Sequence, residues 1–385
     1  MLREKFTPIC FLSALGAGGL SVSFFIYLMF MVPHVGVPMT TFEFFYAALI
    51  KGDWLSFVSG ASAFGILFFA FYHFKLLIWN IKQYTLYKKS EAYQRLITSN
   101  AEVTLMALPL TFTMTINVCF VLGALFVPKL WSVVEYLFPF ALIGFALCGY
   151  FALKFFIDYF TRLIVKGDFD FANNNNLSQM ISIFAFAMVA VSFAAPGAMS
   201  HSLVINAIGI FFAIFFSAIA LLLLLIKMIF GFQNIFQQGI SNEASPSLWI
   251  MIPILTLLGI TFIRVSFGLD HHFDQKMANA SMFTFTSLVL SLQLIFGLIG
   301  YKVMRNIGYF ETFVHSNTLS PTSFALICPG VAFMVFGMFF IHTGLVANNV
   351  LVQNSFFYFV MMLPFIYIQF TTVFYFLKLK NKFFS

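Results

Sequence analysis

Ten long apolar segments, separated by short polar connections, make up most of the chain. A helix crosses a bilayer with about 20 apolar residues, and none of these segments shows the two-residue alternation of a barrel strand. The pattern therefore predicts an all-α integral membrane protein in which a single domain, 1–385, holds ten transmembrane helices. The predicted helices lie near 8–33, 54–80, 102–127, 130–161, 178–199, 203–231, 246–269, 280–304, 320–346 and 351–377.

The odd-numbered segments differ from the even-numbered ones in the helix-breaking residues that they carry. The third, seventh and ninth contain Pro109, Pro253 and Pro329, and the first contains the glycine-rich run 16–19. Membrane helices tolerate proline where the freed carbonyl is buried or faces a wet cavity. For any single proline, an ordinary kinked helix is the alternative. Together they predict five hairpins in a pseudo-fivefold arrangement, with the odd helices lining a central pore.

Composition and charge support a membrane location and predict an orientation. The chain is 61% hydrophobic and 9% charged, whereas soluble domains carry about 25% charged residues. All Lys and Arg residues except Lys51, Lys129, Arg264 and Lys276 fall on the side of the two termini. Because cytoplasmic loops carry the excess of positive charge, we expect a multi-pass protein of the cell inner (plasma) membrane with both termini cytoplasmic. The net charge of +7 then reflects topology, and no nucleic-acid partner is expected.

The sequence lacks the motifs of enzymes and of metal or cofactor sites. It contains no HExxH, GxSxG or phosphate-loop motif, and its four cysteines lie inside apolar segments without metal-ligand spacing. The run 270–274, Asp-His-His-Phe-Asp, is more typical of a solvated loop than of a metal site. We therefore expect neither an enzyme nor a bound cofactor or metal.

Arg264 is the most informative charged residue, because it lies inside the seventh segment about three turns after Pro253. An arginine in a membrane is costly and normally faces a partner or a wet cavity. Arg264 either binds an anion at the outer mouth, or it reaches the interface or pairs with Asp270 or Glu135. For Glu135 itself, a salt bridge or interfacial position stands against a role in proton coupling.

Small polar residues on the odd segments form a second group of candidates. Their hydroxyl and amide groups could solvate a permeant ion, and those at positions 111 and 115 share one helix face. Hydrogen bonding between helices is the alternative, since membrane helices often use such residues in that way. The candidate ion-binding residues of this group are Ser13, Thr111, Thr115, Asn117 and Thr256.

Three motifs resemble those of a known family of transporters. They are 15–20 (Leu-Gly-Ala-Gly-Gly-Leu) in the first segment, 246–253 (Pro-Ser-Leu-Trp-Ile-Met-Ile-Pro) in the seventh and 322–329 (Thr-Ser-Phe-Ala-Leu-Ile-Cys-Pro) in the ninth. With the ten-helix plan, they resemble the tellurite-resistance/dicarboxylate transporter family, which includes the bacterial TehA proteins and the plant slow anion channels. The resemblance implies a homotrimer in which each protomer has an anion pore lined by its odd helices.

The resemblance also implies a phenylalanine on the ninth helix that plugs the pore. The position that aligns with that phenylalanine, before Pro329, is occupied by Cys328. Phe324, Phe333 and Phe336 lie within about two turns of it and are the candidates for an aromatic gate. The pore lining predicted with this gate includes Gly16, Gly18, Gly19, Pro109 and Pro253.

These observations predict an anion channel or exporter whose partners are small inorganic or organic anions, membrane lipids and further copies of the chain. One alternative is a proton-coupled exporter of a small organic acid, sulfite or a tellurite-type oxyanion. An alternative of another class is a membrane scaffold or receptor that transports nothing.

Overall fold

A computed structural model describes residues 6–171, 174–273, 275 and 277–384. Within this part of the chain the secondary structure is helical and includes no strand, which confirms the predicted all-α class. Arg3, Lys5, Asp274 and Lys276, which entered the predictions above, lie outside the described residues.

The described residues contain ten helices that are long and apolar enough to cross a membrane, which makes the chain a multi-pass membrane protein. Several continue beyond their apolar pattern, because backbone hydrogen bonding can persist where the side chains turn polar. The tenth starts later than predicted, after a turn in which Asn354 has a φ of 63°. In chain order the helices are Pro8–Met31, Trp54–Tyr87, Asn100–Phe126, Leu130–Lys166, Ser178–Met199, Leu203–Gln238, Ser245–Phe273, Asn279–Asn306, Pro321–Val346 and Phe356–Phe384.

The odd helices are buried inside the protein and the even helices are exposed. Between 56% and 94% of the most apolar stretch of each odd helix is buried, against 28% to 39% for the even helices. Large apolar side chains such as Phe64, Phe140 and Phe211 are exposed on the even helices. The even helices thus supply the apolar outer surface that a lipid bilayer requires.

Contacts among the odd helices close into a cycle. The first helix packs against the third, the third against the fifth, the fifth against the seventh, the seventh against the ninth, and the ninth against the first. Each even helix packs against the odd helix that precedes it. Because the starting segments of the odd helices also contact one another, all five begin at one end of the bundle. We call this the proximal end and the opposite one the distal end.

Every odd helix begins with a tight 3-10 segment before it becomes a regular α-helix. These segments are Pro8–Cys10, Asn100–Met106, Ser178–Met180, Ser245–Ile250 and Pro321–Leu326.

Pro109, Pro253 and Pro329 are each the third residue of the α-helical part that follows. They therefore lie at a change of helix type rather than in the middle of a regular helix, which corrects the predicted kinks. A missing N–H is tolerated there, because the first N–H groups of an α-helix have no partner within it.

Three glycines bring the backbones of the fifth, sixth and seventh helices into contact near the distal end. A Cβ atom on Gly209 would lie 2.7 Å from the backbone nitrogen of Gly197. A Cβ atom on Gly268 would lie 2.5 Å from the carbonyl oxygen of Gly197. The side-chain nitrogen of Asn206 donates hydrogen bonds to the carbonyl oxygens of Gly197 (2.5 Å) and Gly268 (3.1 Å). This close packing fixes the position of the seventh helix relative to the fifth.

Candidate functional site

A cavity of about 700 Å³ lies between the odd helices. All five odd helices line it, and the fourth contributes Phe138, Ala141 and Phe145. Its lining continues to the exposed residues Gly36 and His201 at the distal end. The cavity is therefore open to the surroundings on the distal side.

A second, much smaller cavity of about 60 Å³ lies among the starting segments at the proximal end. Phe184, Pro253 and Cys328, from the fifth, seventh and ninth helices, line both cavities. These three residues therefore lie at the boundary between the two spaces. The Phe184 side chain is only 5% exposed, so its ring is packed tightly at this boundary, which we call the constriction.

One face of the seventh helix runs along the large cavity. Its lining positions include Pro253, Thr256, Ile260, Arg264 and Phe267, which follow one another at intervals of three or four residues. This spacing places them on one side of an α-helix. Arg264 consequently points to the cavity rather than to the lipid.

Arg264 is the one lysine or arginine among the described residues that line the cavity. Its Nη1 donates a hydrogen bond to the carbonyl oxygen of Val191 at 2.9 Å. Within the described part of the chain it forms no ion pair with a carboxylate. The carboxylate of Glu135 instead accepts hydrogen bonds from Ser200 Oγ (2.7 Å) and from the backbone nitrogen of His201 (2.8 Å). The predicted alternative of an Arg264 pair with Asp270 or Glu135 is therefore wrong.

Asn117 and Thr256 also line the cavity, and each is held by a neighbouring side chain. The side-chain nitrogen of Asn117 donates to Ser192 Oγ at 2.9 Å. Thr256 Oγ1 accepts a hydrogen bond of 2.6 Å from the side-chain nitrogen of Gln293, which reaches in from the eighth helix. These two candidates for ion solvation thus reach the cavity.

The other three candidates form hydrogen bonds within and between helices and do not line either cavity. Ser13 Oγ donates to the carbonyl oxygen of Cys10 (2.7 Å), and Thr111 Oγ1 donates to that of Ala107 (2.8 Å). Thr115 Oγ1 lies 2.9 Å from the Nε2 atom of His73. These contacts agree with the alternative role given above, hydrogen bonding that holds the helices together.

Of the glycines and prolines predicted to line the pore, some line a cavity and others do not. Gly16 and Gly19 line the large cavity, whereas Gly18 faces His73, whose Nδ1 would lie 2.7 Å from an added Cβ atom. Pro329 lines only the small cavity, and Pro109 lines neither.

The three phenylalanines predicted to form the gate do not line either cavity. Phe324 packs against Phe383 of the tenth helix with ring centroids 5.1 Å apart. Phe333 packs against Phe365 of the same helix at 5.2 Å. The ring of Phe336 lies against Gly259, where an added Cβ atom would come within 2.6 Å. The gate assignment stays a prediction, and the geometry favours a different residue for that role.

Phe184 is the constriction residue that the sequence reasoning missed. A signal was present in the starting segments of the odd helices. Ile183 is the third residue of its α-helical part, as Pro253 and Pro329 are of theirs. Aligning the helices at their starts would have brought Phe184 to the level of Pro253 and Cys328.

Histidines gather at the distal mouth of the cavity without forming a metal site. The rings of His201 and His271 are 5.2 Å apart, and His272 Nε2 lies 3.0 Å from the carbonyl oxygen of Ser200. Among the described residues, no three His, Cys, Asp or Glu side chains are placed to hold a metal ion.

Comparison with known proteins adds no family assignment. No protein-family model matches the chain, and no curated protein matches it. The resemblance to the tellurite-resistance/dicarboxylate transporter family therefore stays a prediction from the three motifs.

Proposed function

We propose that this protein is an anion channel or exporter whose pathway runs between the odd helices, arranged as five hairpins with pseudo-fivefold order. One observation carries the proposal: the guanidinium of Arg264 faces a large cavity and has no ion-pair partner among the described residues. A permanent charge inside a membrane helix is costly unless it is paired or hydrated. A cavity open at the distal end supplies that hydration and gives dissolved anions access to the charge.

The surroundings of Arg264 favour anions over cations. Asp270 is the one carboxylate among the described lining residues, and it is exposed at the mouth. It lies six positions after Arg264, which is roughly 9 Å along a helix. Because apolar walls screen charge less than water does, the positive charge dominates the interior of the cavity.

The constriction would close the pathway on its proximal side. Hydrophobic constrictions can block ions by excluding water, without a charged plug. Phe184 supplies an aromatic ring at this level, together with Pro253 and Cys328. On this proposal the pathway is open at the distal end and closed at the constriction.

The proposed setting follows from the charge distribution and the exposed outer layer. With cytoplasmic termini in the inner (plasma) membrane, the cavity would open away from the cytoplasm. The apolar faces of the even helices would contact lipids and, in a homotrimer, neighbouring copies of the chain.

Anion flux from proteoliposomes tests the proposal. Vesicles containing the protein should release small anions faster than empty vesicles, and Arg264→Gln should reduce that flux. The reduction should be larger at low ionic strength than at 1 M salt, where the Debye length falls to about 3 Å. Lys129→Gln is a matched control, because Lys129 is exposed near the distal end but does not line the cavity.

Each possible result of the flux assay selects one class of function. Flux that saturates and requires a proton gradient would identify a proton-coupled exporter instead of a channel. Absence of flux for every anion, from protein that remains folded, would overturn the proposal in favour of a scaffold or receptor. Equal effects of Arg264→Gln and Lys129→Gln would remove Arg264 from the pathway.

The constriction can be tested in the same vesicles. Phe184→Ala should raise anion flux several-fold, because the smaller side chain admits water between the two cavities. Phe324→Ala removes a ring of the same size from a position that packs against the tenth helix, and it should leave flux unchanged. The reverse pattern would place the gate on the ninth helix, where the sequence predicted it.

A further inference from the structure

We propose that the large cavity binds amphipathic monocarboxylates, that is, anions with one carboxylate and an extended apolar body. This inference rests on the proposed function and names the substrate class of the same site. The cavity volume of about 700 Å³ falls within the range of about 300–1,000 Å³ that holds drug-sized ligands. Such a space is much larger than a chloride or nitrate ion needs.

The charges in the cavity match a ligand that carries one negative charge. Arg264 is the single lysine or arginine among its described lining residues, and Asp270 at the mouth adds a negative charge. A second carboxylate on the ligand would therefore meet no second cation. This arrangement favours monoanions over dicarboxylates.

The guanidinium of Arg264 is well suited to a carboxylate. Arginine has five N–H donors in a planar group that can bind both oxygens of a carboxylate at once. The described residues accept one hydrogen bond from it, at Val191. The remaining donors can therefore bind a ligand without breaking a contact within the protein.

The walls of the cavity match an apolar body. Large apolar side chains surround the space on several helices, among them Phe120, Phe138, Phe145, Met188 and Phe339. Between the level of Arg264 and that of Pro253, the seventh helix rises by roughly 16 Å. A carboxylate held by Arg264 would leave this length of apolar cavity for the rest of the ligand.

Binding of a homologous series to the purified full-length protein tests the inference. Calorimetry on the protein in polymer-stabilised lipid nanodiscs should show affinity rising from acetate through butanoate to octanoate, by up to about fourfold for each added CH₂. Succinate and chloride should bind more weakly than octanoate. Arg264→Gln should weaken octanoate binding by about tenfold or more, the effect of a lost charged hydrogen bond, whereas Lys129→Gln should not.

Two further measurements separate recognition of the carboxylate from occupation of an apolar space. Octanamide, which has the same chain and no charge, should bind weakly and respond little to Arg264→Gln. Ala141→Phe adds bulk to the cavity wall and should weaken octanoate much more than acetate. This second variant keeps the test valid if Arg264→Gln does not fold.

The inference fails if octanoate and octanamide bind alike and both ignore Arg264→Gln, because the cavity would then be a space for lipid tails. It also fails if acetate, chloride or succinate binds as tightly as octanoate. Octanoate binding without flux of any anion would contradict the proposed transport and leave the binding site intact. Flux that depends on Arg264, without chain-length dependence in binding, would support the proposed transport and overturn the inferred substrate class.

Discussion

Arg162 and Arg264 both lie inside membrane-spanning helices, yet their surroundings differ in every respect that matters for charge. Arg162, near the proximal end of the fourth helix, donates to Glu102 at 2.8 Å, to Asp168 and to the carbonyl oxygen of Ser99 at 2.8 Å. Arg264 makes one hydrogen bond, to a carbonyl oxygen, and faces the cavity. The first charge holds helices and a loop together, and the second is left available to a ligand.

The difference distinguishes an arginine that holds a membrane protein together from one that is available to bind a ligand. Arg162, whose three guanidinium nitrogens each donate a hydrogen bond to a protein oxygen, has a structural explanation. Arg264, which has unused donors and faces a large cavity, lacks such an explanation, because its single hydrogen bond contributes little to the fold. In the sequence the two arginines look alike, since each is one charge within an apolar helix. Only their contacts with neighbouring helices distinguish them.

The largest expected effect is on folding, and it should differ between the two arginines. Arg162→Gln leaves the Glu102 carboxylate, which is 12% exposed, without its partner. Breaking a buried pair in this way costs about 3–5 kcal/mol, and the lower end applies because Asp168 is 31% exposed. Arg264→Gln should leave the free energy of unfolding nearly unchanged. Thermal unfolding in detergent measures both.

The matched control for this pair is Lys129→Gln, which should shift neither unfolding nor the response to salt. If Arg264→Gln unfolds at a temperature as low as Arg162→Gln does, Arg264 belongs to the structure, and its proposed role in the pathway is lost.

A smaller effect should appear in double-mutant cycles. Residues that share an ion pair couple by about 0.5–3 kcal/mol, so Arg162→Gln and Glu102→Gln together should destabilise less than the sum of the two single changes. Arg264→Gln and Asp270→Asn should be additive, because the structure places no ion pair between them. A measurable coupling between Arg264 and Asp270 would mean that they pair in solution, contrary to the structure.

The helices could be predicted from the sequence, because crossing a bilayer imposes a length and an apolarity that hydropathy reports directly. The type of helix at each start could not be predicted in this way. The 3-10 segments before Pro109, Pro253 and Pro329 run directly into the α-helices that follow, so the three prolines looked like kinks within single helices.

The candidate site could be predicted only in part. Arg264 stood out because a charge in an apolar helix is rare, and the polar residues Asn117 and Thr256 of the odd helices line the cavity. Phe184 did not stand out among the 58 phenylalanines of the chain, because its position shows only when the starts of the odd helices are aligned. Thr115 lines neither cavity, and its hydroxyl contacts His73, a partner on another helix.

The packing of the ninth helix against the first also has a consequence for biosynthesis. Helices leave the ribosome in chain order, so the seventh helix enters the bilayer before the wall formed by the ninth exists. During this interval Arg264 would lie in an open groove next to lipid, where a charged residue costs about 2.5–3.5 kcal/mol on scales of translocon insertion. A nascent chain that stops before the ninth helix would therefore keep this charge exposed within the membrane.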